Sequence, residues 1–146
     1  MEIRRVTEEK RRFLPLLLLG DEQEDMIDAY LDRGTLYALY DGGALRTVCV
    51  VTEEAPGVVE IKNLATAPES QRRGYGRAMI DYVARTCGGR ELLVGTGDSP
   101  LTVPFYVSCG FRVCGRVRNY FPDHYDHPIF EAGRRLTDQV ILSRKL

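Results

Sequence analysis

Gln71-Arg72-Arg73-Gly74-Tyr75-Gly76-Arg77-Ala78 is the stretch on which the reading of this chain turns. It lies between an extended segment, Val58 to Thr66, and a segment in which Ala78, Met79, Tyr82 and Val83 recur at helical spacing. The start of a helix presents unpaired backbone N–H groups and the positive end of its dipole, so a turn feeding a helix is an anion site in principle. Gly74 and Gly76 remove side chains that would keep a phosphate from the backbone, and Arg72, Arg73 and Arg77 add positive charge. The ligand expected of these parts is a pyrophosphate. Two common phosphate motifs do not fit. No Gly-Lys-Ser/Thr triplet of a Walker loop exists, and position 79 is Met where a G-x-G-x-x-G fingerprint needs Gly. A plain helix-starting turn with solvated arginines fits the same residues.

The flanking sequence divides into short elements. Ile3 to Val6 reads as a strand. Thr7 is a candidate N-cap for a helix from Glu8 to Leu19, which Pro15 should kink or split and Gly20 should end. Met26, Ile27, Tyr30 and Leu31 mark a second helix from about Glu22 to Asp32. Thr35 to Tyr40 and Ala44 to Thr52 flank the hairpin signal Asp41-Gly42-Gly43, and Ala55-Pro56-Gly57 turns the chain into Val58 to Thr66, completing an antiparallel meander. After the loop Pro68 to Arg73, a helix runs from about Gly74 to Cys87 and stops at Gly88-Gly89. Glu91 to Thr96 is a strand, Leu101 to Ser108 a short helix, Phe111 to Arg118 a strand, and Val140 to Leu142 lies in a last one. A helix between strands predicts parallel neighbours in this half. The expected fold is α/β of the α+β kind: one domain over residues 1–146, with a mixed, mainly antiparallel sheet flanked by helices.

Composition bounds the function. Of 146 residues, 44% are hydrophobic and 28% charged, as in ordinary globular domains. Lys plus Arg number 20 against 21 Asp plus Glu, which argues against a protein that coats nucleic acid or acidic membrane. The longest apolar run, Leu16 to Leu19, is far short of the ~20 residues that cross a bilayer. Glu2, Glu8 and Glu9, with the acidic stretch from Asp21 to Asp25, speak against a secretory signal, so a cytoplasmic protein is expected. Cys49, Cys87, Cys109 and Cys114 have no C-x-x-C spacing and read as small core residues in a reducing compartment.

A second element changes the weight of the first. Phe105-Tyr106-Val107-Ser108-Cys109-Gly110-Phe111-Arg112 follows a strand and a short helix, about thirty residues after the glycine turn. A Q/R-x-x-G-x-G/A loop followed at that distance by F/Y-Y-x-x-x-G-F resembles the GNAT superfamily of acyl-CoA-dependent N-acetyltransferases. The order of elements matches from Ile3 to the C-terminus, and the segment ending Pro128-Ile129-Phe130-Glu131 resembles a small bacterial branch of that family.

The resemblance implies acetyl-CoA as co-substrate and the primary amine of a small molecule or peptide as acceptor. It implies that main-chain groups of Leu64, Ala65 and Thr66 pair with the pantetheine arm like an added strand. In such enzymes this strand splays from the one at Glu91 to Thr96. Backbone N–H groups across Gln71, Arg72, Arg73, Gly74, Tyr75, Gly76, Arg77 and Ala78 would hold the pyrophosphate. Tyr106 would protonate the departing sulfur, since phenols have a reference pKa of about 10 and thiols about 8.5. Glu60 stands eleven positions before Gln71, where the histone-acetyltransferase branch carries its base. Asp98 departs from the family pattern, which often has Asn there; a carboxylate accepts from an amide N–H but cannot donate. Relatives are often homodimers.

Each assignment has a plainer reading beside it. Tyr106 could be an aromatic core residue next to Phe105 and Phe111. Alternation groups Glu60 with Val58, Lys62 and Leu64 on one face, where it could simply pair with Lys62. Cys109 has no His near it in sequence, so direct transfer in a ternary complex is expected rather than an acetyl-enzyme. Asn119 to Leu136 is long for a connection. Its Asp123, His124, Asp126 and His127 are a poor metal set, and no metal is expected. It reads as an acceptor-lining lid or as a solvated loop. The alternative functions are a non-catalytic acyl-CoA sensor and a transferase using another acyl-CoA.

Overall fold

Gly42 and Gly43 adopt left-handed φ of 62° and 78°, the mirror-image turn whose twist suits the strands it joins. Those strands are β2 (Thr35–Asp41) and β3 (Ala44–Ala55), and Pro56-Gly57 leads on to β4 (Val58–Thr66). With β1 (Glu2–Val6) on the outer side of β2, they form an antiparallel meander in chain order. The computed structural model describes residues 1–146, which divide into two compact units, Met1–Arg90 and Glu91–Leu146.

In the first unit, α1 (Leu14–Gly20) and α2 (Glu24–Leu31) cover one face of the meander. Leu17, Ile27 and Leu31 pack there with Leu36, Val48 and Val50, all buried. The expected helix from Glu8 is split. Lys10–Phe13 forms a 3-10 turn, Glu9 starts it at φ 51°, and no side chain caps it, Thr7 included. Pro15 lies in the first turn of α1, the helical position that tolerates a missing N–H. Lys10 donates to the carbonyls of Leu31 (3.0 Å) and Gly34 (2.7 Å), closing the C-terminus of α2. On the opposite face lies α3 (Tyr75–Thr86), where Tyr82 meets Tyr37 edge to face at 5.6 Å.

The second unit holds β5 (Glu91–Gly97), α4 (Thr102–Ser108), β6 (Arg112–Val117), α5 (Tyr120–His124), the β7–β8 hairpin (Phe130–Glu131 and Arg134–Arg135) and β9 (Gln139–Lys145). β9 pairs antiparallel with both β5 and β6. The expectation of parallel neighbours in this half is therefore corrected within the unit. β5 and β6 do run in the same direction, but the C-terminal strand, with Val140 and Leu142 buried, lies between them. The stretch from Asn119 to Leu136 is not a plain connection, since it contains α5 and the hairpin. Of the cysteines, Cys49 and Cys109 are core residues, whereas Cys114 is exposed on β6.

Candidate active site

The start of α3 is fixed by residues far away in sequence. Tyr75, the first helical residue, is buried and donates its hydroxyl to Asp41 Oδ2 at 2.7 Å. That bond, joined by the N-terminal ammonium and Arg46, holds the Asp41 carboxyl below the usual carboxylate range. Arg46 donates to Asp41 O (3.2 Å) and Ser70 Oγ (3.0 Å), tying the β2–β3 turn to the loop before α3. Arg46 and Arg73 also lie over the Tyr75 ring, 5.8 and 5.4 Å from its centroid.

Arg72 and Gly74 both take left-handed backbone, with φ 62° and 87°. Gly74 caps the helix without a side-chain bond, and a Cβ built there has nothing within 4 Å. Ala78 N–H already donates to Gly74 O at 3.0 Å. By helix geometry the amides of Gly74, Tyr75 and Gly76 precede the first bond of α3. Ala78 N–H is thus already engaged in the helix. Gln71, exposed, donates its side-chain amide to Thr66 O at 3.2 Å.

Along β4 the pairing decides which groups face outward. Ala67 N–H donates to Arg46 O at 2.8 Å, and the register pairs Thr47 with Thr66, Val48 with Ala65 and Cys49 with Leu64. In an antiparallel ladder, residues alternate between bonding the partner strand and facing away from it. Ala67 and Ala65 therefore bond toward β3, while the main-chain groups of Leu64 and Thr66 point away. An added strand would meet Leu64 and the N–H of Thr66, whose carbonyl already accepts from Gln71, and Ala65 is engaged with β3.

Glu60 is not on the face that simple alternation assigns. Val50 pairs with Asn63 and Val51 with Ile61, so Lys62 is an extra residue, a β-bulge. Paired residues share a face. Glu60, opposite Thr52, thus joins Asn63 and Ala65 on the α1–α2 face, and Leu64 and Thr66 lie on the α3 face. Buried and half-buried residues still alternate along the strand because both faces are covered, which hides the bulge. Lys62 Nζ lies 2.8 Å from Glu60 and 3.8 Å from Glu54. Glu54, held below the usual carboxylate range first by the Thr52 hydroxyl and then by Arg33, completes the cluster.

In the second unit, Tyr106 of α4 is 7% exposed. Its ring meets Phe105 and Phe111 edge to face at 5.2 and 5.6 Å. Phe111 N–H donates to Tyr106 O (3.1 Å), and Gly110 at φ 93° makes the reversal into β6. Asp98 accepts the Thr137 N–H and hydroxyl at 3.2 and 3.0 Å, so its carboxylate is directed to the protein's own backbone. Burial opposes its charge, but these bonds outweigh burial and lower its pKa. His124 donates to Tyr120 O (2.8 Å) and His127 pairs with Asp126 (2.6 Å), and no group of three or more His, Cys, Asp and Glu side chains converges on a metal position. A surface hollow of about 320 Å³ lined by Met1, Glu2, Arg4, Tyr40, Gly42 and Gly43 contains none of the candidate residues.

Sequence reasoning missed Asp41, Arg46 and Ser70, which support the helix start. The first was read only as a turn residue, and the bonds that give these residues their roles span 24 and 34 positions, so no local pattern marks them.

Residues 32–113 match the family model described as the acetyltransferase (GNAT) domain. Over 131 residues the chain is 37% identical to YvbK, an uncharacterized N-acetyltransferase of Bacillus subtilis (strain 168), covering 87% of this chain and 84% of that protein. The structure is similar to an IAA acetyltransferase from Bacillus cereus ATCC 14579, with TM-score 0.92, 34% identity and 99% of each chain covered. It is equally similar to a GNAT family acetyltransferase from Elizabethkingia anophelis solved with acetyl-CoA bound, with TM-score 0.92, 32% identity, and 99% and 97% of the two chains covered. No helix is long and apolar enough to cross a membrane. With its mixed, mainly antiparallel sheet, its flanking helices and a glycine-started α3, the chain belongs to the GNAT acetyltransferases.

Proposed function

We propose that residues 1–146 act as one N-acetyltransferase domain. It moves an acetyl group from acetyl-CoA to a primary amine of a small molecule or peptide, by direct attack in a ternary complex. The observation that carries this reading is the start of α3. Left-handed backbone at Arg72 and Gly74 releases a run of amides that α3 does not use, and Arg72 and Arg73 add charge beside them. These groups suit a pyrophosphate. The outward main-chain groups of Leu64 and Thr66 suit the amide-bearing pantetheine arm. Acetyl-CoA supplies the activated acyl group, and the protein's own groups handle the protons.

The acceptor ammonium must first become an amine. Glu60, whose carboxylate lies 2.8 Å from Lys62 Nζ, takes that proton directly or through water. The amine nitrogen then attacks the thioester carbonyl carbon, and the proton it sheds on becoming an amide passes to water. An outward N–H of β4 donates to the oxygen as it becomes an oxyanion. When the C–S bond breaks, Tyr106 gives its hydroxyl proton to the sulfur, and solvent reprotonates the phenolate. The Phe105 and Phe111 rings fix Tyr106 in one orientation, as a proton donor requires. The balance of charge, with no basic excess, fits a cytoplasmic enzyme that binds neither nucleic acid nor membrane, and homodimerisation is compatible with the exposed β6.

A thiol-release assay tests this reading. Acetyl-CoA is supplied with spermidine, tyramine, lysine, an aminoglycoside and an alanyl peptide, and at least one is expected to be acetylated. Gly76→Glu, which puts a negative charge at the start of α3, is expected to abolish acetyl-CoA binding by calorimetry and leave the far-UV spectrum intact. Unchanged affinity would remove α3 from the site.

A further inference from the structure

A carboxylate beside an anion site should repel the ligand by its charge, yet Asp41 stands there. It ends β2, 34 positions before Tyr75, and the Tyr75 hydroxyl donates to its Oδ2 at 2.7 Å. Arg46, a cation that could have faced a phosphate, is directed to the protein instead. It donates to Asp41 O (3.2 Å) and to Oγ of the fully buried Ser70 (3.0 Å). Arg46 O accepts from Ala67 N–H, and Ala67 O accepts from Ser70 N–H, both at 2.8 Å. The β2–β3 turn, the end of β4 and the loop before α3 are thus bonded into one frame.

Tyr75 links that frame to the opening amides of α3. It is the first helical residue, directly after Gly74 with its left-handed φ of 87°. Its ring is 6% exposed, and the exposed Arg73 lies over it at 5.4 Å. A side chain packed at its ring and bonded at its hydroxyl restrains the main chain that carries it. The N–H groups of Gly74, Tyr75 and Gly76 are restrained with it.

We infer that Asp41 is a positioning residue for coenzyme A: through the Tyr75 hydroxyl it holds the opening amides of α3 and the Arg73 guanidinium in the arrangement that receives the diphosphate. This rests on the acetyl-CoA reading above. The bond orders the turn before the ligand arrives, so its loss lowers the fraction of molecules ready to bind.

Calorimetry with acetyl-CoA on Asp41→Ala, Tyr75→Phe and the double variant tests this. Each single substitution should raise Kd about fivefold, the scale of one partly exposed hydrogen bond. The double variant should match the singles, since all three remove the same bond. Asp41→Asn keeps an oxygen for the hydroxyl and should stay within about twofold of wild type. In steady state the KM for acetyl-CoA should rise with Kd while kcat changes less than about twofold, because the bond orders the binding turn and not the reacting atoms. A role in stability alone would lower Tm and leave Kd unmoved, and that result overturns the inference. An Asp41→Ala variant that binds more tightly also overturns it, since charge repulsion then outweighs positioning. So does a double variant weakened about 25-fold, since Asp41 then acts independently of Tyr75. If Asp41→Ala does not fold, Tyr75→Phe decides. Wild-type protein that binds no acetyl-CoA overturns the parent reading and this one together, whereas wild-type binding with unmoved variants overturns this one alone.

Discussion

Gly74 and Gly88 stand at opposite ends of α3 in nearly the same backbone state, with φ 87° and 72°, and an added Cβ meets nothing within 4 Å at either. Substituting Ala at each therefore has the same intrinsic cost and no clash. Left-handed backbone costs Ala about 1–2 kcal/mol. Reduced freedom of the unfolded chain offsets about 0.4–1 kcal/mol of that. Each variant should thus lose about 1 kcal/mol, a fall in Tm of about 2–4 °C for a chain of this size, and both stay folded. Only Gly74 borders the amides that open α3. A methyl there stands in the space a pyrophosphate would fill and biases the backbone that aims the N–H groups. Gly74→Ala should weaken acetyl-CoA at least about tenfold, or about 1.4 kcal/mol, and Gly88→Ala less than about twofold. Calorimetric titration of both with acetyl-CoA, alongside thermal melts, gives the comparison. Equal affinities at equal loss of Tm would refute the placement of the diphosphate at α3.

Three further outcomes are expected. Tyr106→Phe should lower kcat about 100-fold and leave the Kd for acetyl-CoA nearly unchanged, because only a proton donor is lost; unchanged turnover in stopped-flow thiol release would take Tyr106 out of the mechanism. Gly20→Ala puts a Cβ 2.2 Å from Asn63 Oδ1, on a side chain anchored by bonds to Leu17 O (2.9 Å) and Tyr30 OH (3.1 Å). Overpacking should outweigh the helix-propensity gain and cost about 1–3 kcal/mol in urea unfolding; a more stable variant would show that Asn63 moves freely. The depressed Asp98 carboxyl stabilises the fold above its unfolded value, and this contribution is lost as pH falls through the folded value. Wild-type Tm should therefore drop more steeply below about pH 4 than that of Asp98→Asn, and parallel curves would contradict the sign.

Much of the fold was legible because local chemistry decides it. Asp41-Gly42-Gly43 accepts left-handed backbone whatever surrounds it, and Pro15 divides a helix by its own geometry. The glycine turn before α3 was legible for the same reason. The face of Glu60 was not, because a bulge is a property of two strands: the extra Lys62 exists only relative to β3. Nor was the partner of β6, since β9 lies far along the chain and nothing local selects it over β5.

By itself the sequence determined the turns of the meander, most of its helices and strands, and that a glycine-started helix precedes a Tyr-bearing one. Those outcomes depend on backbone sterics and on the spacing of side chains a few residues apart. Tertiary structure alone decided that Asp41 and Arg46 hold that helix start, that Leu64 and Thr66 rather than Ala65 face outward, and that Asp98 binds the backbone of Thr137. Each depends on hydrogen bonds between groups distant in the chain, whose partners become neighbours only when the strands have paired and closed the loops between them.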